Sequence, residues 1–216
     1  MTGEMPGLAD MGDLDAVASL ADPQRRELYD FVAASAEPVS RDESAEAVGL
    51  SRQVAAYHLD RLAGDGLLDV EYRRLSGRAG PGAGRPSKLY RRSEASYAVT
   101  VPPRRYELAA TILLDAAREA HIDLAKLAAV ARRAGVELGR AGLEAALAAT
   151  GYEPVGQNGE TRFRNCPFHA LRDRDRETTC GLNLALVEGI VDGAGSDRTP
   201  VLAPEDGYCC VRLREA

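Results

Sequence analysis

The sequence predicts an α+β protein, with helices and strands mixed along two separate regions. Residues 13–64 carry apolar side chains at helical spacing between recognisable caps, and residues 68–72 then alternate apolar with polar, as a half-buried strand does. Further along, short segments of both kinds are separated by glycine-containing turns. We therefore predict a helical domain with a small sheet over residues 13–95, a helical linker or dimerisation region over 102–140, and a small α+β domain over 141–216.

Start and stop signals with a physical basis frame the helices of the first region. Asp22 precedes a proline, which suits an N-cap followed by proline at the first helical position. Ser40 and Glu43 have the spacing of a capping box, in which each side chain satisfies the other residue's backbone N–H. Gly49 stands where a left-handed residue can end that helix, and Ser51 can cap the next. The order of helix, tight turn, helix and strand predicts a winged helix-turn-helix.

The second helix of this motif, residues 51–64, is predicted to read DNA. Val54, Leu59 and Leu62 can face the core, and the opposite side, which includes Asp60, can face a groove. Arginine and glutamine suit bidentate recognition of guanine and adenine edges. An ordinary amphipathic helix would show the same periodicity, but the flanking elements favour DNA binding. The predicted DNA-binding residues of helix and wing are Ser51, Arg52, Gln53, Ala56, Tyr57, Arg61, Arg74, Arg78, Arg85 and Lys88.

The predicted wing is a β-hairpin with a long tip. Its strands are residues 68–72 and Lys88-Leu89-Tyr90, on either side of a stretch rich in glycine and proline. From Arg73 to Arg92 the chain holds 7 basic residues and no acid, which is the electrostatic footprint of phosphate binding. Arg85, between glycine and proline at the tip, either enters a minor groove or lies in a solvated loop.

The overall composition limits the possible functions. With 216 residues, a net charge of -6 and a sequence pI of about 5.2, any basic face must be local. No apolar run is long enough to span a bilayer, and the polar, acidic start lacks the pattern of a signal peptide. We therefore expect a cytoplasmic protein with no membrane partner.

Two alanine-rich helices are predicted in the middle of the chain, one over residues 104–120 and one beginning near Asp123. Their small residues allow close helix contact, which suits a dimer interface and a monomer's core equally well. We favour a homodimer because helix-turn-helix proteins normally read paired half-sites in a double-stranded DNA operator.

Four cysteines lie in the last quarter of the chain: Cys166, Cys180, Cys209 and Cys210. In a cytoplasmic protein this clustering indicates metal binding or redox chemistry more than a disulfide framework. Cys166 and His169 have C-x-x-H spacing, which lets two side chains of one turn reach one metal. Sulfur and imidazole donors suit zinc or an iron–sulfur cluster. Cysteines packed as small apolar residues, with a surface histidine, are the alternative interpretation.

The adjacent pair Cys209 and Cys210 falls in a predicted strand, residues 208–213. Because neighbouring residues on a strand point to opposite faces, we expect Cys209 to face the core and Cys210 to be more exposed. The predicted metal ligands are Cys166, His169, Cys180 and Cys209.

The first part of the chain resembles the ArsR-type and DeoR-type winged-helix regulators of bacteria, over roughly its first hundred residues. The resemblance is carried by Gly49-Leu50-Ser51, Tyr57-His58-Leu59, the turn Gly66-Leu67-Leu68 and the segment Gly84-Arg85-Pro86-Ser87-Lys88-Leu89-Tyr90. It implies a winged-helix fold in which His58 packs against the neighbouring helix.

The C-terminal part resembles the sensor domain of SufR-type regulators. The similar residues are Asn165-Cys166-Pro167-Phe168, then Cys180, then Cys209 ahead of Val211 and Leu213. Those regulators hold an iron–sulfur cluster and repress genes for cluster assembly. The resemblance implies Cys166, Cys180 and Cys209 as cluster ligands, and a histidine as fourth ligand would depart from all-cysteine ligation, which keeps zinc as an alternative.

Three functions are consistent with these patterns to different degrees. The first is a dimeric transcriptional regulator whose C-terminal domain senses redox state or iron through an iron–sulfur cluster. The second is a winged-helix regulator that responds to a small organic effector, with structural zinc or no metal. The third, an enzyme, has little support, because the chain has 3 His and lacks a phosphate-binding glycine loop, a nucleophile elbow and a zinc-protease helix.

Overall fold

A computed structural model describes residues 11–73, 86–100, 104–157 and 159–215. The chain divides into two compact units, Met1–Arg104 and Arg105–Ala216, and each has its own hydrophobic core. The fold class is α+β: a helix-turn-helix region with a small sheet comes first, and a helical unit with a second small sheet follows.

The first unit is a helical core flanked by a three-stranded antiparallel sheet in the order β1-β3-β2. The short strand β1 was not predicted, because two residues are too few to show a strand's periodicity. The described helices are α1 (Met11–Ser19), α2 (Pro23–Ala34), α3 (Arg41–Val48) and α4 (Arg52–Gly64), and the strands are β1 (Val39–Ser40), β2 (Leu68–Arg73) and β3 (Ser87–Arg92).

The predicted caps of this unit are confirmed. Asp22 accepts a hydrogen bond from the backbone N–H of Arg25 at 3.0 Å, at the start of α2. Ser40 and Glu43 form the capping box of α3, with distances of 2.7 and 3.2 Å. Gly49 ends α3 at φ 71°, a conformation that favours glycine, and Ser51 caps α4. Local hydrogen bonding therefore fixes the turn of the helix-turn-helix.

The buried side of α4 differs from the predicted one at a single position. Leu59 and Leu62 are fully buried as predicted, but Val54 is 37 % exposed. Ala55 and His58 occupy the inward positions instead, because the buried face is centred on the spacing 55, 59 and 62. The prediction that His58 is a buried packing residue is confirmed, whereas the core position given to Val54 was wrong.

The second unit combines five described helices with a four-stranded antiparallel sheet in the order β4-β5-β7-β6. The predicted hairpin over residues 152–163 is present, with Gln157 opposite Glu160, while Asn158 of its turn lies outside the described residues. The helices are α5 (Tyr106–Glu119), α6 (Leu124–Gly139), α7 (Leu143–Ala149), α8 (His169–Arg174) and α9 (Arg176–Ala194), and the strands are β4 (Pro154–Gln157), β5 (Glu160–Phe163), β6 (Thr199–Leu202) and β7 (Val211–Arg214).

None of the helices in these described ranges combines the length and the apolar character that a bilayer span requires.

Helices α5 and α6, predicted as a separate linker region, belong to the same compact unit as the C-terminal sheet. The reason is a close crossing of α6 with α9 at four glycines, Gly135, Gly139, Gly189 and Gly193. A Cβ atom on Gly189 would lie 2.1 Å from the carbonyl oxygen of Arg132. The two helix backbones are therefore in direct contact, and α9 is held firmly in place.

This crossing predicts opposite effects for two Gly→Ala substitutions in the same helix. Gly189→Ala should destabilise the second unit by about 3 kcal/mol, since the new methyl group meets backbone that has no room to move. Gly181→Ala should stabilise it by about 0.5–1 kcal/mol, because alanine loses less conformational entropy in a helix and its Cβ meets nothing within 4 Å. The free energies of unfolding from urea titrations test both; equal effects would contradict the close crossing.

Candidate nucleic-acid interface and buried cysteine site

The outer face of α4 presents most of the predicted DNA-reading residues to solvent. Gln53 and Tyr57, one helical turn apart, lie near the middle of this face, and Tyr57 is 67 % exposed. Ser51, Arg52 and Arg61 are also exposed, and Ala56 is half-buried. Within the described residues the side chain of Gln53 has no hydrogen-bond partner, so its amide is available to a base edge.

The two arginines of α4 are paired with carboxylates of the same unit. Arg52 Nε lies 2.6 Å from Asp42 Oδ1, and Arg61 Nε lies 2.9 Å from Asp65 Oδ2. Both partners of the Arg52–Asp42 pair are more than half exposed, so this pair contributes only about 0–1 kcal/mol, whereas Asp65 is only 10 % exposed. A phosphate can therefore replace the Asp42 carboxylate at little cost.

Asp60 and Lys88, both predicted to face DNA, instead hold the wing to the recognition helix. Lys88 Nζ lies 2.5 Å from Asp60 Oδ1, and the Tyr90 hydroxyl donates to the same oxygen at 2.6 Å. Burial raises the pKa of Asp60, but these two hydrogen bonds outweigh it and the pKa lies below its ordinary value. Burial and the hydrogen bond to Asp60 raise the pKa of Tyr90. The contact fixes β3 against α4. The sequence does not predict this pairing, because the residues that form it are far apart along the chain.

The basic wing is acid-free along the chain but not in space. Arg91 Nη2 lies 3.3 Å from Asp69 Oδ2 on the neighbouring strand. Arg73 approaches Glu71 at 3.4 Å and Glu37 at 3.7 Å. Antiparallel pairing thus places Asp69 beside Arg91, whereas Arg73 contacts Glu71 of its own strand and Glu37 ahead of β1. The predicted contacts Arg74, Arg78 and Arg85 lie outside the described residues.

In the second unit, all four cysteines are reduced and buried in one core. Three of their sulfurs approach the side-chain amide of Asn183, whose Nδ2 lies 3.1 Å from Cys209 Sγ and 3.9 Å from the sulfurs of Cys166 and Cys210. Cys180 lies on α9, one helical turn before Asn183. The structure therefore gathers residues from the loop after β5, from α9 and from the segment before β7.

The prediction that Cys210 is more exposed than Cys209 was wrong, since each is only 3 % exposed. The alternation rule does not apply, because β7 begins at Val211 and the two cysteines precede it. Their backbone serves two different neighbours: Cys209 N–H donates to Phe163 at 2.8 Å, and the carbonyl of Cys210 accepts from Ala203 at 2.7 Å. This irregular segment turns both sulfurs inward.

His169, a predicted metal ligand, lies in a different environment from the buried sulfurs. It is the first residue of α8, its side chain is 46 % exposed, and its Nε2 is 3.7 Å from Asp173 Oδ2. Across the described ranges, no three His, Cys, Asp or Glu side chains are grouped as a metal ion would require. The buried thiols match zinc or an iron–sulfur cluster in donor type, with the Asn183 amide placed among them.

The surroundings of Cys166 and Cys209 favour the protonated thiols. A hydrogen bond to Cys209 and burial raise the pKa of Cys166. The contact with Cys166 lowers the pKa of Cys209. The hydrogen bond to Cys210 and burial raise it by more, so the net shift is upward. Binding of any metal by these residues must therefore release protons.

Sequence reasoning missed Asn183 and Tyr152. The Tyr152 hydroxyl donates to Asn183 Oδ1, and both side chains are buried. A usable signal was present: Asn183 is a lone amide in the otherwise apolar stretch 182–187, one turn after Cys180. A polar residue at that spacing from a cysteine indicates a hydrogen-bonding role in the same site.

Residues 20–71 match a family model described as "Helix-turn-helix domain". The matched segment runs from just before α2 into β2 and includes the complete α3–turn–α4 motif. Together with the wing strands, it supports a DNA-binding transcriptional regulator of the winged helix-turn-helix class. Neither the curated proteins nor the solved structures gave a match to the chain.

The hydrogen bond from Tyr90 of the wing to Asp60 of α4 predicts that Tyr90→Phe lowers the stability of the first unit by about 1 kcal/mol, the usual cost of a lost hydrogen bond. Tyr72→Phe, on the exposed end of β2, is the matched control and should change nothing. Because the pKa of Asp60 is lowered from 3.8, the bond contributes above that pH and its contribution is lost as the pH falls through the lowered pKa. Urea titrations between pH 7 and pH 3 measure the difference, and equal losses for both variants would contradict this hydrogen bond.

Proposed function

We propose that this protein is a homodimeric regulator that reads a double-stranded DNA operator with α4 and the wing, and that an iron–sulfur cluster in its second unit controls operator binding. The observation that carries the DNA-reading part is the open outer face of α4, on a helix whose other side is locked into the core and to β3. A reading helix must be held rigidly if its side chains are to distinguish bases.

Within α4, different residues serve different parts of the contact. Gln53 is suited to bidentate bonds with the N6 and N7 atoms of adenine. Tyr57, on the same side one turn later, can pack its ring against sugar and base edges. Arg52 and Arg61 exchange their carboxylate partners for phosphates, which places the helix in the groove without selecting sequence.

The exposed side of α5 supports a homodimer. Only Leu114 of this helix is buried within the unit, although the helix is strongly amphipathic. Several large apolar side chains exposed on one helix typically mark an interaction surface. A second copy of the chain is the occupant we propose, since two reading helices are needed for two half-sites. The exposed apolar residues of α5 are Tyr106, Leu108, Ile112 and Leu113.

Base reading by α4 predicts that Gln53→Ala reduces the free-energy difference between the selected operator and a mutated operator by about 1–3 kcal/mol. Gln24→Ala, an exposed glutamine of α2, is the matched control and should leave the difference unchanged. The measurement is fluorescence anisotropy with operators selected from a random library, at one fixed salt concentration. If both variants keep full discrimination, α4 does not read bases through Gln53.

The proposed cluster would be held by Cys166, Cys180 and Cys209. It would link the three chain segments that carry these residues, and this link would depend on iron and on redox state. The support is the donor set itself: buried soft sulfur donors in one core, with an amide placed to hydrogen-bond to them. A small organic effector has less support among the described residues, where a cavity lined by α6 and α9 measures about 250 Å³, below the usual range for ligand pockets, about 300–1,000 Å³.

Control of DNA binding requires the two states of the second unit to differ in their affinity for the operator, since only differential affinity moves an equilibrium. We propose that the second unit differs in shape with and without the cluster that links its cysteine-containing segments. The two forms would then allow different spacings between the two reading helices of the dimer.

The cluster hypothesis predicts that protein purified without oxygen has a visible iron–sulfur absorption band and loses it on Cys180→Ser. The loaded and the metal-free protein should then differ at least about fivefold in operator affinity, the lower end of typical allosteric coupling. Equal affinities would limit the cluster to a structural role. A colourless protein with one bound zinc would replace the cluster by zinc.

A further inference from the structure

Asn183 is the most deeply buried amide of the second unit's sulfur region, at 1 % exposure, and it stands in an apolar stretch of α9. Burying an amide is costly unless its donors and acceptor are satisfied. A leucine at this position would pack without that cost. The position of Asn183 therefore calls for a reason beyond packing, and its hydrogen bonds supply one.

The amide is held in one orientation from both ends. Its oxygen accepts from the Tyr152 hydroxyl, and the Tyr152 ring packs on Phe163 with centroids 4.9 Å apart. Its nitrogen, 3.1 Å from Cys209 Sγ, can only donate. The tyrosine thus directs the two N–H bonds away from itself and into the space between the sulfurs.

We infer that Asn183 is the positioning residue of the buried sulfurs and that Cys210, rather than His169, is held beside Cys166 and Cys209 by the same amide. The inference rests on the proposed sulfur-ligated cofactor for its functional meaning, but the positioning itself concerns this chain's own residues.

The distances assign different parts to the three sulfurs around the amide. Two N–H bonds serve at most two sulfurs well at one time, so Cys209 at 3.1 Å holds one bond, and Cys166 and Cys210, each at 3.9 Å, compete for the other. Such donors orient sulfur lone pairs and stabilise the negative charge of a bound thiolate. His169, paired with Asp173 at the surface, takes no part in this arrangement.

The first test is a Co(II) titration of the reduced full-length protein without oxygen. Asn183→Asp keeps the acceptor for Tyr152 and loses both N–H donors, so Co(II) affinity should fall about 10- to 100-fold, as for other residues that support metal ligands. Tyr152→Phe should give a smaller loss in the same direction. Thr179→Val is the matched control: it removes a buried hydroxyl of α9 that has no hydrogen-bond partner among the described residues, and it should not change the affinity. An Asn183→Asp protein that binds Co(II) as tightly as the control would overturn the positioning role.

The sulfur-to-cobalt charge-transfer band then decides membership of the site, because its intensity grows with the number of bound thiolates. Cys210→Ser should reduce the band in the Co(II) complex, while His169→Ala should leave it unchanged. The opposite pattern would remove Cys210 from the site and restore His169.

A measurement on metal-free protein separates this inference from the proposed function. N-ethylmaleimide alkylation, resolved by mass spectrometry of peptides, should proceed at least about fivefold faster at Cys209 and Cys210 in Asn183→Asp than in Thr179→Val, since an unsatisfied buried group favours local opening. If wild type binds no metal but this difference is found, the cluster hypothesis fails and the positioning role stands. If metal binds and the alkylation rates are equal, the positioning role fails alone.

Discussion

A polar group taken out of water must find a partner, and this constraint shapes both functional regions of the protein. In the first unit, Tyr90 of the wing is fully buried, and its hydroxyl is satisfied by Asp60 of α4. In the second unit, Asn183 is fully buried and is satisfied by Tyr152 and the sulfur of Cys209. Each of these groups joins segments distant in sequence, so the hydrogen bonds that satisfy burial also set the geometry of the site.

The same constraint explains what could be predicted from the sequence. Helix caps depend on residues three positions apart, so Ser40 with Glu43 and the cap at Ser51 could be recognised from local spacing alone. The side chains that face the core were harder. Val54 was assigned inward because its apolar side chain fits the same helix face as Leu59 and Leu62, yet the small Ala55 fills that inward place.

Long-range partners could not be predicted for a related reason. The stretch from Arg73 to Arg92 holds no acid, and only strand pairing brings Asp69 beside Arg91. Cys210 was assigned outward by a rule that requires a regular strand, and the strand starts one residue later, at Val211. In both cases the information lay in tertiary hydrogen bonding, which periodicity does not contain.

The glycines of the second unit show how a residue type can carry different meanings. Small residues in the middle helices were compatible with a dimer interface and with a monomer's core. For α6, Gly135 and Gly189 support the core alternative, because its backbone contacts α9 directly inside the unit. They give no such support for α5, which buries only Leu114 and keeps its larger apolar residues exposed. The interface that we propose between two copies of the chain is therefore on α5, whose exposed side chains are large enough to fill such a contact.

The charge arrangement of α4 reconciles an acidic protein with binding to a polyanion. Arg52 and Arg61 are neutralised by their own carboxylates, at 2.6 and 2.9 Å, until a phosphate competes for them. The Arg52–Asp42 pair is exposed and weak, so its exchange for a phosphate costs little when the helix lies correctly in a groove. Away from a good site the pairs persist, and the attraction to any random phosphate backbone is reduced. If the sequence-independent attraction is reduced in this way, discrimination between sites would depend more on base contacts such as those proposed for Gln53. A net charge of -6 would then limit non-specific binding and is no argument against DNA as the partner.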